Sequence, residues 1–173
     1  TAYKIDGDGT IMTDVKDIIT SYEGRNFASL STGSRLLSDN ESIGKKSSFL
    51  SLAFPSINGF SLAYNLLSSE FNEFNDSKVG DIAFVTLWGR DFQKIDIITS
   101  INRIKNNNTG LPYKRFASLP EMGDSYAGQS GWLLFEKQGW KHSGLTHASI
   151  VISNIKEPVF NSILLIDDVK AEK

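Results

Sequence analysis

The 173-residue chain is 40% hydrophobic and 22% charged, and its 18 Lys+Arg nearly balance 20 Asp+Glu, for a formal net charge of −2. It has no basic excess to hold a phosphate backbone, so nucleic-acid binding is not expected, and no apolar run reaches the roughly 18 residues of a membrane-spanning helix. With no Cys and only two His, His142 and His147, disulfide scaffolds, thiol nucleophiles and Cys-ligated metals are excluded, and His-based metal chemistry has little to stand on.

The length fits a single domain over residues 1–173, large enough to bury a core without a covalent staple. The chain opens on Thr1 with no signal-peptide pattern, which suggests a piece excised from a longer protein. Its 11 Phe, 17 Ile, 22 Ser and 14 Gly lean toward pleated, half-buried surfaces punctuated by turns.

In chain order, Asp6-Gly7-Asp8-Gly9 has the start of a calcium loop but lacks the later oxygen ligands and the closing Glu, so a tight turn is expected. Residues 14–20 (DVKDIIT) fit a short helix capped by Asp14 or a strand. Alternating runs follow at residues 27–30, at 49–54 with Pro55 as terminator, at 60–66 and at 82–88. Residues 92–105 carry both helical and alternating Ile spacings, so periodicity alone leaves helix and strand open there. The tract 106–110 and the Gly-rich region 119–131 read as loops, and apolar strands close the chain at 148–153 and 163–169. Short strands between turn-rich separators predict an all-β fold. It is a single antiparallel β-sandwich of jelly-roll type, with room for one short helix.

The residues offer little for catalysis. There is no G-x-S-x-G elbow, P-loop or G-x-G-x-x-G, so the chain is not expected to be an enzyme. The carboxylates Glu70, Glu73, Asp76 and Asp81 keep paired-carboxylate glycoside chemistry as a weaker alternative. The oxygen-rich stretch 68–81 suits calcium, which takes 6–8 hard ligands, against the plain reading of a solvated acidic loop. Asp167 and Asp168 interrupt the apolar run 163–169, and a carboxylate there is costly unless paired or bound to a metal.

Three segments in order resemble a bacterial extracellular β-sandwich module, the kind found as ligand-binding domains of large repeats-in-toxin adhesins. Residues 19–33 (ITSYEGRNFASLSTG) resemble the opening P-x-E-G-x-x-F-A-x-L-S-T-G, with Ser21 in place of Pro. Residues 61–70 and 81–87 resemble L-x-F-x-Y-N-F-L-S-x-E and N-D-x-A-F-V-x-L, with Gly80 before Asp81. Residues 150–155 and 159–169 resemble F-x-V-S-N-V and V-D-S-A-L-L-I-D-N-V, with Asn161 for Asp and Asp168 for Asn.

The resemblance implies a non-enzymatic, calcium-dependent module of a secreted or surface adhesin, extracellular in location. Its partner would be a protein or glycan on a host or neighbouring cell, and the isolated domain is expected to be monomeric, with no insertion into a membrane. The metal candidates are Glu23, Glu70, Asp81 and Asp167, with Asp168 as substitute, their strand ends meeting at one edge of the sandwich. Exposed aromatics and Arg anchor recognition sites, so the ligand candidates are Trp88, Arg90, Arg115, Tyr126, Gln129 and Trp132, each Trp being equally suited to a core. Competing readings are a carbohydrate-binding module attached to an extracellular enzyme and a structural spacer domain.

Overall fold

The computed structural model describes residues 2–15, 19–32, 47–68, 81–91, 93–100, 114–115, 128–137, 144–153 and 162–172. Among them there is no helix. Fourteen strands follow in chain order: β1 (Ala2–Asp6), β2 (Asp8–Met12), β3 (Asp14–Val15), β4 (Ile19–Thr20), β5 (Phe27–Ser31), β6 (Ser47–Ile57) and β7 (Gly59–Ser68), then β8 (Ile82–Gly89), β9 (Gln93–Ser100), β10 (Lys114–Arg115), β11 (Gly128–Gln129), β12 (Leu133–Lys137), β13 (Leu145–Ser153) and β14 (Ser162–Glu172). Every alternating run of the sequence is a strand. Residues 93–100 are settled as the strand β9, and residues 14–20 contribute the short antiparallel pair β3–β4 in place of a helix.

Two antiparallel sheets make a β-sandwich of the jelly-roll type. The five-stranded sheet runs β1-β6-β13-β8-β9, and the seven-stranded sheet runs β10-β11-β7-β14-β5-β2, with β12 also paired to β7. Alternation decides which side chains fill the space between them. Leu50, Leu52, Val85, Leu87, Ile150 and Ile152 point inward from one sheet, and Leu30, Leu62, Leu66, Leu164 and Ile166 from the other, in one continuous core.

The seven-stranded sheet is buried on its outer face as well. Phe27, Leu67, Ile163 and Leu165 point away from the main core and pack under Val15 and Ile19 of the β3–β4 pair, with Met12 and Trp132 against them. That double burial explains why residues 163–166 read as an unbroken apolar run.

Some strands were hidden in the sequence. β1 and β2 are joined at Gly7, which has φ +85 and where a Cβ would lie 2.6 Å from Ser48 Oγ; the calcium-loop fragment is thus the tight turn expected. Pro55 does not end β6, which continues to Ile57. Pro55 falls between the paired positions Ala53↔His147 and Ile57↔Leu145, an irregular stretch where a missing N–H costs no ladder bond.

Leu164 is fully buried at the sandwich centre, whereas Leu134 is 52% exposed. Leu164→Ala is expected to cost about 2–5 kcal/mol and Leu134→Ala about 0.5 kcal/mol or less, read from urea unfolding of each variant.

Candidate functional site

Asp167 lies next to Ile166 on β14 and shares the outward parity of Ile163 and Leu165. The apolar run ends there because the carboxylate faces a loop. Its Oδ2 accepts the backbone N–H of Tyr22 at 2.7 Å and of Glu23 at 3.1 Å, and its Oδ1 accepts the N–H of Asp168 at 2.7 Å. The burial cost of the carboxylate is therefore met by three amides. The segment joining β4 to β5 is closed by Ser21 Oγ, which donates to the Gly24 carbonyl at 2.8 Å.

Asp168 has φ +46 at a register shift in which β14 carries one residue more than β7 between Asp167↔Ala63 and Lys170↔Ser61. Asn and Asp are the side chains best tolerated in that left-handed conformation, so the D-D here and the D-N of the resemblance both suit a bulge. Asp168 Oδ2 accepts from Lys170 Nζ at 2.6 Å, and Glu23 Oε2 lies 3.4 Å from the same ammonium. The hydrogen bond to Asp168 pushes the Lys170 pKa above its ordinary value.

Asp81 is fully buried at the other end of the sheet. The Thr32 hydroxyl lies 3.2 Å from its Oδ2 and accepts the Ser162 N–H at 2.9 Å. The span from Ser162 to Asp167 along β14 is roughly 17 Å at about 3.4 Å per residue. The expectation that the strand ends carrying Glu23, Asp81 and Asp167 meet at one edge is therefore corrected. Glu23, Asp167 and Asp168 come together, and Asp81 stands at the opposite end. Glu70 lies outside the described residues. No group of three or more His, Asp or Glu among the described residues is arranged to hold a metal. Both oxygens of Asp167 accept amides, Asp168 is paired with Lys170, and Asp81 with Thr32.

The ligand candidates also divide. Trp132 is a half-buried lid on the outer apolar layer: its ring centroid is 5.9 Å from Phe27, edge to face, and 6.1 Å from Tyr22, and its indole N–H donates to the Thr20 carbonyl at 3.0 Å. It is presented there by a break between β11 and β12, where Gly131 has φ +68 and the Ser130 hydroxyl accepts the Leu66 N–H at 2.9 Å. Gln129 Oε1 accepts from the buried Asn65 amide at 2.7 Å and braces the same break. Arg115 is on β10, opposite Gly128, and Tyr126 lies outside the described residues.

Trp88 and Arg90 belong to the other sheet. Ala83, Val85 and Leu87 of β8 enter the core, so Phe84, Thr86 and Trp88 point away from it. Cross-strand register places Trp88 in one outward row with Ala53, His147 and Gln93, and Phe84 in another with Val151, Phe49 and Ile97. Ile95 and Ile97 on β9 are 62% and 45% exposed.

The Trp88 end of this face is where regular pairing fails. β13 carries an extra residue, Thr146, between Leu145↔Gly89 and His147↔Trp88, and on its other side β6 carries the Pro55–Ser56 irregularity, with Ser56 at φ +23. The Thr146 hydroxyl donates to the Trp88 carbonyl at 3.3 Å and is 2.9 Å from His147 Nδ1. Bulges re-aim side chains, and strained non-Gly residues gather at functional ends of strands. This corner gathers Trp88, His147 and Gln93 on the outer sheet face, with exposed Arg90 just beyond β8: an aromatic surface with hydrogen-bonding side chains around it. The sequence offers Trp88 and Arg90 as ligand candidates, whereas Gln93 and the Thr146 bulge beside them have no local sequence signal, and the sequence reading gives His147 no ligand role.

No protein-family model and no curated protein matches the chain. Among solved structures, the fold is similar to a non-crystalline cellulose specific carbohydrate-binding module, CBM28, with a TM-score of 0.47 and 10% identity over 98% of this chain and 87% of that one.

Removing the Asp167 carboxylate leaves three amides without their acceptor. Asp167→Ala is expected to cost about 1–3 kcal/mol or more and to speed amide hydrogen exchange at Tyr22 and Glu23, measured by NMR. Unchanged exchange at both would show that the loop is fastened elsewhere.

Proposed function

We propose that the chain is a non-enzymatic ligand-binding module whose ligand meets the outer face of the five-stranded sheet at its Trp88 corner. One observation carries this reading: Trp88 projects away from the core, in register with His147 and Gln93, at the point where bulges break both neighbouring strand pairs. An aromatic face beside hydrogen-bonding side chains complements a saccharide ring, whose C–H face is apolar and whose rim is polar. The ligand class favoured is therefore a glycan. The exposed Ile95 and Ile97, beside Phe84, support a second reading in which the same face receives an apolar peptide or protein surface. The setting in a bacterial secreted or surface adhesin follows from the three sequence segments of the resemblance.

The experiment is a glycan array followed by calorimetry with the strongest oligosaccharide, beside a peptide library on the same protein. Trp88→Ala is expected to weaken glycan binding more than tenfold, consistent with loss of an aromatic anchor, while the unfolding midpoint in urea changes little. Binding to peptides alone, weakened by Ile95→Ala and Ile97→Ala but not by Trp88→Ala, would select the second reading. Glycan binding indifferent to Trp88→Ala would remove the site.

Calcium enters this reading through the oxygen-rich sequence 68–81 and not through Asp167. At a hundredfold excess over Kd a bound ion adds about 2.7 kcal/mol, or roughly 2–4 °C for a domain of this size. Thermal melting in millimolar calcium is expected to show such a rise over chelator and over magnesium, and Asp167→Asn is expected to leave the rise intact. One melting temperature in all three buffers would take calcium out of the reading.

A further inference from the structure

The first two strands lie on different sheets. β1 is the edge of the five-stranded sheet, beside β6, and β2 is the edge of the seven-stranded sheet, beside β5. Tyr3 is opposite Leu52 and Ile11 is opposite Ala28, so both take the parity of core positions, yet they are 62% and 46% exposed. They rim a cleft of about 370 Å³ that enters the sandwich between the sheets. Leu50, Leu52, Ala28 and Ile166 line its apolar part, and Asn26, Asp167 and Asp168 line its polar end.

Two carboxylates, Asp167 and Asp168, line that end, and the ammonium of Lys170 is in contact with Asp168 and, outside the cleft, with Glu23. Asp167 is turned to backbone amides on both oxygens. Asp168 is different: its side chain is only 12% exposed, the bulge fixes its direction, and its partner Lys170 has a side chain 55% exposed that can leave for water. An apolar cleft closed by a largely desolvated carboxylate, with a displaceable ammonium, is complementary to an amphiphilic cation. A divalent metal would need more free oxygens than this end provides.

We propose that this cleft binds a small organic cation, its apolar body lodged between Tyr3 and Ile11 and its ammonium group on Asp168 in place of that of Lys170. The site is three strands away from Trp88 across the five-stranded sheet and is independent of the glycan reading.

The probe is 2-phenylethylammonium, titrated into the intact chain at low ionic strength and followed by amide NMR, with 2-phenylethanol as neutral control and 3-phenylpropanoate as anionic control. The ammonium is expected to bind at least tenfold tighter than the alcohol, with shifts centred on Tyr3, Ile11 and Ala28, and the carboxylate is expected not to bind. Asp168→Asn keeps a residue suited to the left-handed bulge and is expected to bring the ammonium down to the affinity of the alcohol. Lys170→Ala removes the competing ammonium and is expected to tighten binding several-fold. Equal affinity for ammonium and alcohol, an unchanged preference in Asp168→Asn, shifts centred elsewhere, or no binding at all would each overturn the proposal.

Discussion

The strand that ends the described chain is also the middle of a sheet. β14 lies between β7 and β5, and each side of it is fully paired over the central residues 163–166. Its inward side chains fill the main core and its outward ones fill the second layer, so one strand serves both apolar volumes. Each of Ile163, Leu164, Leu165 and Ile166 contributes about 1.5–3 kcal/mol on burial. The polar groups at either end of the doubly buried stretch are closed by the protein itself. Thr32 takes the Ser162 N–H at one end, beside Asp81, and Asp167 takes three amides at the other.

Those two closures connect segments far apart in the chain. The loop carrying Tyr22 and Glu23 is held by a carboxylate 144 and 145 residues further on. Thr32 and Ser162 exchange both a backbone and a side-chain hydrogen bond. β5, β7 and β14 thus meet in the seven-stranded sheet, whereas β8 and β13 pair with each other in the five-stranded one.

The two outer faces differ in what covers them. On the seven-stranded sheet, the β3–β4 pair and Trp132 complete a second apolar layer, and irregularity at Ser130–Gly131 serves to lay Trp132 down on it. On the five-stranded sheet, irregularity at Ser56 and Thr146 gathers Trp88, His147 and Gln93 at one corner. Irregular backbone thus re-aims side chains on both faces, into a packed layer on one and toward solvent on the other. The inter-sheet cleft at β1 and β2 has a third origin: edge strands on separate sheets leave a gap that neither Tyr3 nor Ile11 closes.

Alternating apolar residues at 49–54, 60–66, 82–88 and 148–153 determine strands wherever those residues are placed, because period two is a local property of extended backbone. β1 and β2 escaped that reading since Lys4, Asp6 and Asp8 dilute their alternation, and pairing with β6 and β5 supplies what the local pattern lacks. The cost of placing Asp167 in an apolar strand was also legible in the sequence, and it pointed to a cation. The fold meets that cost with backbone amides from the loop before β5, partners that no spacing along the chain could reveal. Trp88 and Trp132 are the same residue type, and the sequence offered each as either a ligand contact or a core residue. Only the register of β8 turns one outward beside polar groups, and only the break after Gln129 lays the other over Phe27. A side chain's chemistry is fixed by sequence, but its neighbours come from strands paired across the whole chain, and neighbours decide whether it packs or faces solvent.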